Sequence, residues 1–541
     1  MAGWDKEVDL LIVGSGAGSM CAALIAQDHG LEPLIVEKLD KLGGTTAYSG
    51  GGVWIPNNHL MEREGQPDSF DRALEYMNAA VWHDGPSTTP AKRASFVRNG
   101  RRAIEYIESK GMKMIRAHHW PDYHSDLPGG EQTSRTVMAE LFDVNELGEA
   151  KDLLIEPKMP VFRFSIEEMS TLILLNRTWA GKLFALRFAG RLMMQKALGK
   201  DLRACGQAWQ GRMLQIALRN KVPMWRSTAV RDLIVEEGRV MGVLAEREGK
   251  PVRIRARRGV LLNSGGFARN PQMRERYGRQ PVYANNTNVA AGDTGEMIET
   301  AQKLGAAVDC MDEGLWGVSS VGPNGEFPPG AVGVDGKTPT PFGHHFDISL
   351  PHVILVDQDG QRFGNEAGSY MELCQRLYGR HTETGRGIPA WAIIESRHRD
   401  RYIWGSTLGK TPQEWLDSGY MIKADSLDEL AAKTNIDPKK LKDGVARFNG
   451  FCRAGKDEDF NRGGKAFDLC HGDPTVKPNA SLGAIERPPF YAVRIVPGDV
   501  GTWGGLVTDE FSRVLKEDGR PIDGLYAAGA ATANVCGRSY P

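Results

Sequence analysis

Short apolar runs that end in glycine mark the beginning of the chain. Residues 8–13, VDLLIV, form an apolar run of the kind that a buried parallel strand shows. The run leads into a glycine-rich turn at 14–19, GSGAGS, and then into a stretch of helical character at 20–27. A second apolar run at 33–36, PLIV, predicts the next strand and ends in Glu37. Strand, turn, helix, strand and acid in this order predict a dinucleotide-binding unit.

The glycine turn is suited to hold a pyrophosphate. Backbone N–H groups at a helix N-terminus bind phosphate, and glycine lets the chain turn tightly and approach the ligand. The residues assigned to this role are Gly14, Gly16, Ala17, Gly18 and Ser19, with serine where a third glycine is usual. The carboxylate of Glu37 is expected to meet a ribose hydroxyl, and Lys38 beside it is a further candidate contact.

A second glycine run follows at 43–56, GGTTAYSGGGVWIP. A domain that binds only a nicotinamide cofactor has no need for such a segment. We therefore interpret it as a backbone cradle for a flavin, which makes FAD the predicted cofactor. Its candidate contacts are Gly43, Gly44, Thr45, Thr46, Ser49, Gly50, Gly51 and Gly52.

Three later segments predict strands that return to the same domain. Residues 230–243 alternate and turn at a Glu-Gly pair, which predicts a β-hairpin, whereas 259–267 and 524–530 are strands that stop at glycine. Their candidate cofactor contacts are Val230, Ser264, Gly265, Gly266 and Gly529. We predict an α/β fold: a discontinuous Rossmann-like FAD-binding domain, 1–282 and 486–541, with an inserted α+β substrate domain, 283–485. The active site is expected where the two domains meet.

Composition excludes several classes of partner. The 541 residues carry a net charge of −1 and a pI near 6.9, which gives no overall attraction to nucleic acid. Seven scattered cysteines show no metal-ligand spacing, so we predict no metal. Residues 1–7 lack an apolar signal-peptide core, and no run of eighteen uncharged apolar residues occurs, so a cytoplasmic protein without a transmembrane helix is expected.

One basic segment qualifies that expectation. Residues 177–200 hold six lysines and arginines and no acid, interleaved with tryptophan, leucine, phenylalanine and methionine. This composition is typical of a helix that lies on an anionic membrane surface, and it admits a peripheral contact with the inner face of the membrane. The alternative is a helix that packs its apolar residues on the protein and keeps its basic residues in water. The sequence leaves both open.

Over nearly its full length the sequence resembles the FAD-dependent 3-ketosteroid Δ1-dehydrogenases, within the fumarate reductase/succinate dehydrogenase flavoprotein group. The stretches that carry the resemblance are 43–56, 122–124 (DYH), 264–267 (SGGF), 362–366 (RFGNE), 447–451 (RFNGF), 488–492 (PPFYA), 497–505 (PGDVGTWGG) and 539–541 (SYP). Fumarate reductases have His-His-Thr-Met before the last Gly-Gly pair, whereas this chain has 500–503, VGTW. They also have an arginine proton donor where Tyr370 stands here. A neutral carbonyl compound therefore fits better than a dianion.

The resemblance implies a reaction and three catalytic tyrosines. Tyr540 matches the tyrosine that donates a hydrogen bond to the C3 carbonyl, Tyr370 the base that removes the C2 proton, and Tyr123 the tyrosine that assists it. Hydride would pass from C1 to flavin N5, a 1,4-diene would form, and a quinone-like acceptor would reoxidise the flavin. Judged without the resemblance, Tyr370 and Tyr123 are more simply core or loop aromatics.

Two alternatives and one departure stay open at this point. The enzymatic alternative is a Δ4-dehydrogenase of saturated 3-ketosteroids or a related ketone dehydrogenase, and the other is a peripheral membrane flavoprotein that binds sterol without turnover. In the resembled family the chain continues after the matching tyrosine with Gly-x-Gly, which supplies a second donor to the C3 oxygen. Here it stops at Pro541, and we expect a missing tail. Residues 323–342 are expected to form a lid or a surface loop.

Overall fold

The computed structural model describes residues 3–157, 163–333, 338–405 and 407–541. Residues 334–337, part of the segment expected to be a lid or a loop, lie outside the described residues. The strands are β1 (Lys6–Val13), β2 (Pro33–Val36), β3 (Val53–Trp54), β4 (Met114–Arg116), β5 (Thr136–Ala139), β6 (Phe142–Asp143), β7 (Leu202–Arg203), β8 (Met224–Trp225), β9 (Thr228–Glu236), β10 (Arg239–Arg247), β11 (Lys250–Leu262), β12 (Val308–Asp309), β13 (Gly314–Val321), β14 (Phe342–His344), β15 (Val353–Val356), β16 (Ala390–Glu395), β17 (Ile403–Trp404), β18 (Thr407–Leu408), β19 (Met421–Ala424), β20 (Phe490–Thr502), β21 (Gly505–Leu506), β22 (Arg513–Leu515) and β23 (Pro521–Ala527).

Helices connect and cover these strands. The α-helices are α1 (Ala17–Asp28), α2 (His59–Arg63), α3 (Phe70–Ala80), α4 (Pro90–Ser109), α5 (Ile166–Leu172), α6 (Trp179–Ala197), α7 (Cys205–Arg219), α8 (Pro271–Tyr277), α9 (Glu296–Gln302), α10 (Tyr370–Thr384), α11 (Ser396–Arg401), α12 (Gln413–Asp417), α13 (Leu427–Thr434), α14 (Pro438–Ala454) and α15 (Ala466–Cys470). Short 3₁₀ helices occupy Gly44–Tyr48, Val144–Leu153 and Gly529–Ala531.

The first sheet confirms the predicted α/β architecture. Its parallel path runs β23-β11-β1-β2-β8, and β22 pairs antiparallel with β23 at the edge. Leu11 and Ile12 of β1 are fully buried in two different apolar clusters, as expected for a parallel strand covered on both faces. The predicted hairpin is also confirmed: β9 and β10 pair antiparallel around Glu237 and Gly238, which both have positive φ.

The second sheet has the order β14-β13-β20-β16-β15, with β19 also paired to β20. Helix α10 packs against β13, and α13 packs against β19 and β20. Two stretches pack with the sheet of the domain to which the sequence prediction did not assign them. Strand β20, within the predicted return segment, is central to the second sheet because it bonds to β13 and β16. Helix α9, beyond residue 282, packs Met297 and Ile298 into the core of the first sheet.

Helix α6 covers most of the basic segment, and several of its apolar side chains are exposed. The exposed fractions of its side chains are 83% for Trp179, 71% for Leu186 and 71% for Met193. Phe188, in contrast, contacts Phe164 at 5.7 Å between ring centroids, so the helix packs part of its apolar residues on the protein and exposes the rest. In the described ranges, neither α6 nor any other helix is long and apolar enough to cross a membrane.

Candidate functional site

A cavity of about 370 Å³ lies at the carboxyl ends of β1, β2 and β11. Ligands bind at this edge of parallel α/β sheets, where strands on either side of β1 connect in opposite directions. Predicted cofactor contacts that line it are Gly14, Gly16, Ala17, Gly18, Glu37, Lys38, Gly44, Thr45, Thr46, Val230, Ser264, Gly265 and Gly529. The structure thus brings both glycine runs and all three returning segments to one place.

Two glycines shape this cavity by the space they leave. Gly14 has a φ of +99°, and a Cβ built there would lie 2.2 Å from the carbonyl oxygen of Asn263. Gly265 has a φ of +77°, and its Cβ would lie 2.2 Å from a carboxylate oxygen of Asp293. Neither position accepts another residue without displacing the backbone or a buried acid.

Two hydrogen bonds fix the Glu37 carboxylate in the wall of the cavity. The Ser15 hydroxyl donates to the Glu37 carboxylate at 2.7 Å, and the Leu39 amide donates to it at 3.0 Å. Burial raises the pKa of Glu37 from its ordinary value, and its two donors oppose that rise. Lys38 is engaged elsewhere, since its ammonium lies 2.9 Å from Glu296.

Several predicted contacts do not line the cavity. The buried Ser19 hydroxyl donates to Asn263 at 2.9 Å, the Gly43 amide donates to Ser15 at 3.0 Å, and Gly266 packs on Thr502. Ser49, Gly50, Gly51 and Gly52 continue the chain toward β3 instead. The structure gives these residues support roles around the cavity, and their contact with a cofactor stays a prediction.

The sequence analysis missed other residues of the cavity wall. They are Val13, Ser15, Val36, Leu39, Thr228, Ala229, Arg231, Asn263, Ala290, Gly292, Asp293, Glu296, Met297, Ala528 and Ala530. Asn263 could have been found, because it directly precedes the Ser-Gly-Gly motif. Asp293 carried no sequence signal; it accepts a hydrogen bond from the Thr45 hydroxyl at 2.8 Å, and burial raises its pKa to about 7.

The three predicted catalytic tyrosines meet although they come from distant parts of the chain. Ring centroids are 5.5 Å apart for Tyr123 and Tyr370, 4.9 Å for Tyr123 and Tyr540, and 5.6 Å for Tyr370 and Tyr540. Tyr370 is the first residue of α10, Tyr123 lies in the loop between β4 and β5, and Tyr540 lies in the last segment. We call this group the tyrosine cluster.

Burial controls the protonation of the tyrosine cluster. It raises the pKa of Tyr123 and of Tyr370 well above that of a free tyrosine, and it raises the pKa of Tyr540 as well. Tyr123 and Tyr540 both contribute to the rise of the Tyr370 pKa, so the three phenols are electrostatically linked. All three are neutral phenols at neutral pH in this structure.

A buried ion-pair network fixes the loop that carries Tyr123. Asp122 accepts hydrogen bonds from Arg135 at 2.7 Å and from the Trp54 indole at 2.8 Å. Arg135 also donates to Asp68 at 2.7 Å, and both members of the Arg135–Asp122 pair have fully buried side chains. The DYH motif therefore positions its tyrosine through the acid that precedes it.

Glu313 connects the other two tyrosines. This buried carboxylate accepts hydrogen bonds from Gln375 of α10 at 3.2 Å and from Arg538 at 2.8 Å. Gln375 also donates to the Arg538 carbonyl at 2.9 Å. Helix α10, which begins with Tyr370, is thereby tied to the segment that ends with Tyr540. No sequence pattern had indicated Glu313.

An aromatic wall extends from the tyrosine cluster. It consists of Trp120, Phe346, Phe467 and His471, which were not predicted. Phe467 lies 4.1 Å from Tyr123 between ring centroids, and Trp120 contacts Phe346, Phe467 and His471 edge-on at 5.9, 5.9 and 4.9 Å. His345 packs on Tyr370 at 4.6 Å. Burial lowers the pKa of both His345 and His471 to about 4, so the wall is uncharged at neutral pH.

The end of β20 joins this wall to the cavity. The Thr502 hydroxyl accepts a hydrogen bond from the Phe267 amide at 3.2 Å, beside the second glycine pair. The next residue, Trp503, contacts Tyr540 edge-on at 5.3 Å. The end of β20 thus contacts both the segment after the second glycine pair and Tyr540.

A separate group brings possible metal ligands together. His83, Asp309 and Cys310 place their ligand atoms within 4.8 Å of one another. Burial raises the pKa of Cys310 to about 12, which opposes the thiolate that a metal requires. We assign no metal to this group.

The cavity fits FAD by its own geometry. It offers a helix N-terminus for the pyrophosphate, a buried acceptor in Glu37 for a ribose hydroxyl, and glycine positions that a side chain would fill. FAD, the cofactor that the sequence predicts, has a pyrophosphate and a ribose that these features can bind.

Comparison with known proteins identifies the chain's relatives. The FAD binding domain family matches residues 9–541. A 3-oxosteroid 1-dehydrogenase of Mycolicibacterium smegmatis is 40% identical over 99% of this chain and 94% of that protein. A 4-oxocyclohex-2-ene-1-carboxylate 5-dehydrogenase of Sinomonas cyclohexanicum is 32% identical over 98% of this chain and 90% of that protein.

A solved structure agrees with these relatives. The 3-ketosteroid delta1-dehydrogenase from Sterolibacterium denitrificans, in complex with 1,4-androstadiene-3,17-dione, superposes with a TM-score of 0.90 at 35% identity, over 99% of this chain and 96% of that one. FAD is therefore the cofactor, and the chain belongs to the 3-oxosteroid 1-dehydrogenase family of FAD-dependent oxidoreductases.

Proposed function

We propose that the protein dehydrogenates the C1–C2 bond of a 3-keto-Δ4-steroid. The observation that carries this proposal is the tyrosine cluster: three buried phenols in mutual ring contact, at the end of an uncharged aromatic wall. A relative and a solved neighbour named for this reaction support the same substrate class.

Each tyrosine has a role that its position suits. Tyr540 donates a hydrogen bond to the C3 oxygen and stabilises the negative charge that develops there, an effect of roughly 3 kcal/mol for one such donor. Tyr370 accepts the C2 proton. FAD, when bound, supplies the acceptor for the hydride from C1.

Tyr370 can act as a base only if its own proton leaves. Tyr123, whose ring centroid lies 5.5 Å from that of Tyr370, provides a route for this proton. Tyr370 is also the first residue of α10, and the positive end of a helix dipole favours a negative charge nearby. The helix dipole opposes the burial that raises the pKa of Tyr370, whereas both neighbouring tyrosines add to that rise.

The charge of the site favours a neutral polycyclic ketone over a keto acid. The tyrosine cluster and the histidines beside it are buried and neutral at neutral pH. A carboxylate bound against the aromatic wall would lose its hydration without gaining a partner. This distinguishes the proposed substrate from that named for the Sinomonas relative.

Anaerobic mixing with candidate substrates tests the proposal. Androst-4-ene-3,17-dione should bleach the oxidised flavin and yield the 1,4-diene. Bleaching only by 5α-androstane-3,17-dione would instead indicate Δ4-dehydrogenation, and bleaching only by 4-oxocyclohexanecarboxylate would indicate a keto-acid dehydrogenase. A shifted flavin spectrum without bleaching would support the sterol-binding alternative.

We further propose that α6 lies on an anionic membrane and that a quinone there reoxidises the flavin. Lys182, Arg187, Lys196 and Lys200 are exposed, and within the described ranges none has a carboxylate within ion-pair distance. Together with the exposed Trp179, Leu186 and Met193, they give α6 the exposed basic and apolar side chains that contact an anionic membrane surface requires. Sedimentation with anionic liposomes should be strong at low salt and weak at high salt, and Leu186→Asp should reduce it. Absence of salt-sensitive sedimentation would refute the membrane contact.

A further inference from the structure

A second cavity, which we call the side cavity, lies beside the FAD cavity and has a volume of about 260 Å³. Tyr48 and Val289 are part of its lining. Tyr48 ends the 3₁₀ helix Gly44–Tyr48, whose first three residues line the FAD cavity. Val289 directly precedes Ala290, which also lines the FAD cavity. The two cavities therefore share a wall that is made of these two segments.

Small side chains form the wall between the two cavities. The Thr45 hydroxyl accepts a hydrogen bond from the Ala290 amide at 3.0 Å and donates one to the Asp293 carboxylate at 2.8 Å, so the two segments are joined directly. Ala290 is 1% exposed and packs with Ala47. A ligand in the side cavity is thus separated from the FAD cavity by a thin layer of backbone and methyl groups. Electrons pass between redox groups across such a layer without direct contact.

Arg269 is the one cationic residue among the described residues that line the side cavity. Its half-buried guanidinium donates to the Val289 carbonyl at 3.1 and 3.4 Å. In the described part of the chain, no carboxylate lies within ion-pair distance of it. Across the wall, it opposes the rise that burial causes in the pKa of Asp293. A half-buried guanidinium that is paired only with a carbonyl favours a ligand that carries or acquires negative charge.

The other residues known to line the side cavity are neutral. Burial raises the pKa of Tyr48, so its phenol stays protonated at neutral pH, and Asn288 adds a side-chain amide. Phe327 and Pro341 supply apolar surface. No carboxylate lines the cavity in the ranges that the structure describes. This lining suits a flat ring with polar oxygens, whereas a nucleotide would lack the several cations that its phosphates require.

The described part of segment 323–342 forms one side of the side cavity. Phe327, Thr340 and Pro341 come from this segment, which the sequence analysis left as a lid or a surface loop. None of the three tyrosines of the tyrosine cluster is among the described residues that line the cavity. A ligand in the side cavity therefore leaves the position of the steroid free.

We infer that the side cavity binds the ring of the quinone that reoxidises the cofactor, and that Arg269 stabilises the negative charge that the quinone acquires. The inference rests on the proposed function, because it requires that each turnover leave electrons in the protein. Steroid oxidation transfers two electrons and one proton to FAD as hydride and releases the C2 proton through Tyr370. The quinone takes up two electrons and two protons and leaves as a quinol, so the reaction balances.

Binding of menadione, a methylated 1,4-naphthoquinone, tests the site without turnover. In oxidised, FAD-loaded protein, Arg269→Gln should raise the Kd measured by equilibrium dialysis by about tenfold or more, as expected for the loss of a hydrogen bond to a charged group. Arg269→Lys keeps the charge and should lose less affinity. Arg276→Gln is the matched control, because it removes an exposed arginine of α8 that is not among the residues lining the cavity. It should bind menadione as the wild type does.

Reoxidation tests the same site in the reduced protein. Protein that has been reduced anaerobically with stoichiometric dithionite should regain its oxidised flavin spectrum when it is mixed with menadione. Arg269→Gln should slow this step by about tenfold at low menadione concentration. Phe327→Ala, which removes apolar surface on the opposite side of the cavity, should raise the menadione concentration that gives the half-maximal rate. Androst-4-ene-3,17-dione should not raise that concentration in the wild type, since the steroid lies elsewhere.

The outcomes separate the quinone site from the steroid reaction. An unchanged Kd in both Arg269→Gln and Phe327→Ala proteins that retain FAD would overturn the inference. Competition between menadione and the steroid would also overturn it, because the quinone would then occupy the steroid position. If Arg269-dependent binding and reoxidation are found but the steroid does not reduce the flavin, the quinone site stands and the proposed function fails.

Discussion

The FAD cavity and the tyrosine cluster are built in opposite ways. The cavity is made largely of backbone, from glycine turns that lie close together in the sequence at 14–18 and 44–46. The tyrosine cluster is made of side chains, and Tyr123, Tyr370 and Tyr540 come from three distant segments that two buried polar networks hold together.

Because of this difference, the cavity identifies the cofactor, whereas the tyrosine cluster indicates the reaction. A backbone cradle binds the same dinucleotide in many enzymes, so its sequence identifies FAD and leaves the substrate open. A cluster of phenols suits a carbonyl substrate, and its position depends on packing that no local motif encodes. Changes in the cluster should therefore stop the reaction while FAD stays bound, and changes in the cavity should do the reverse.

The largest effect is expected for Tyr370→Phe. Loss of a general base should slow flavin reduction by androst-4-ene-3,17-dione by about 10²–10⁴-fold with unchanged FAD content. Rapid-mixing absorbance measures this rate. Tyr378→Phe is the matched control, because it removes a buried hydroxyl from the same helix outside the cluster. A wild-type rate in Tyr370→Phe would show that this residue is not the base.

A large effect on stability is expected for Asp122→Ala. Arg135 would lose one of its two buried partners, and breaking such a pair costs roughly 3–5 kcal/mol. Urea unfolding measures the free energy, and Asp443→Ala, which breaks the exposed pair with Lys439, should leave it unchanged. Equal midpoints for the two variants would contradict the role assigned to the Asp122–Arg135 pair.

Tyr540→Phe should slow flavin reduction by about 10²–10³-fold, since it removes one hydrogen-bond donor to the developing oxyanion. FAD content should again be unchanged. KM distinguishes the donor from the base. When the Tyr540 hydroxyl that holds the keto oxygen is removed, the substrate should bind more weakly as well as react more slowly. An effect smaller than about threefold on both parameters would remove Tyr540 from the mechanism.

Glu37→Ala tests the FAD cavity. Loss of a charge-assisted hydrogen bond, about 1.5–3 kcal/mol, should weaken FAD retention during dialysis, and reconstituted enzyme should reduce its flavin at the wild-type rate. Glu37→Gln, which keeps an acceptor, should lose less FAD. A slower chemical step in the reconstituted enzyme would contradict the assignment of Glu37 to cofactor binding alone.

The smallest effect at neutral pH concerns the histidines beside the cluster. The pKa values of His345 and His471 lie near 4 when folded, below the ordinary 6.5, so the unfolded chain binds protons first as pH falls. Their contribution to stability is complete above pH 6.5 and declines as pH falls toward 4. His471→Gln should reduce the slope of unfolding free energy against pH in this range, and an unchanged slope would contradict a neutral, buried His471.

Local patterns predicted much of the cavity because its parts are local. The strand and glycine run at 8–18 and the hairpin at 230–243 were correctly placed, since apolar periodicity and turn residues act over a few positions. The pattern did not assign β20 to the second sheet, because strand pairing partners are distant in sequence. Glu313 and Trp120 were missed for the same reason: their roles exist only once separate segments meet.

The central claim is that the protein removes hydrogen from C1 and C2 of a 3-keto-Δ4-steroid. Anaerobic titration of the FAD-loaded protein with androst-4-ene-3,17-dione, followed by mass spectrometry of the steroid, tests it most directly. We expect one equivalent of androsta-1,4-diene-3,17-dione for each flavin reduced. Recovery of unchanged steroid with oxidised flavin, or reduced flavin without the 1,4-diene, would contradict the claim.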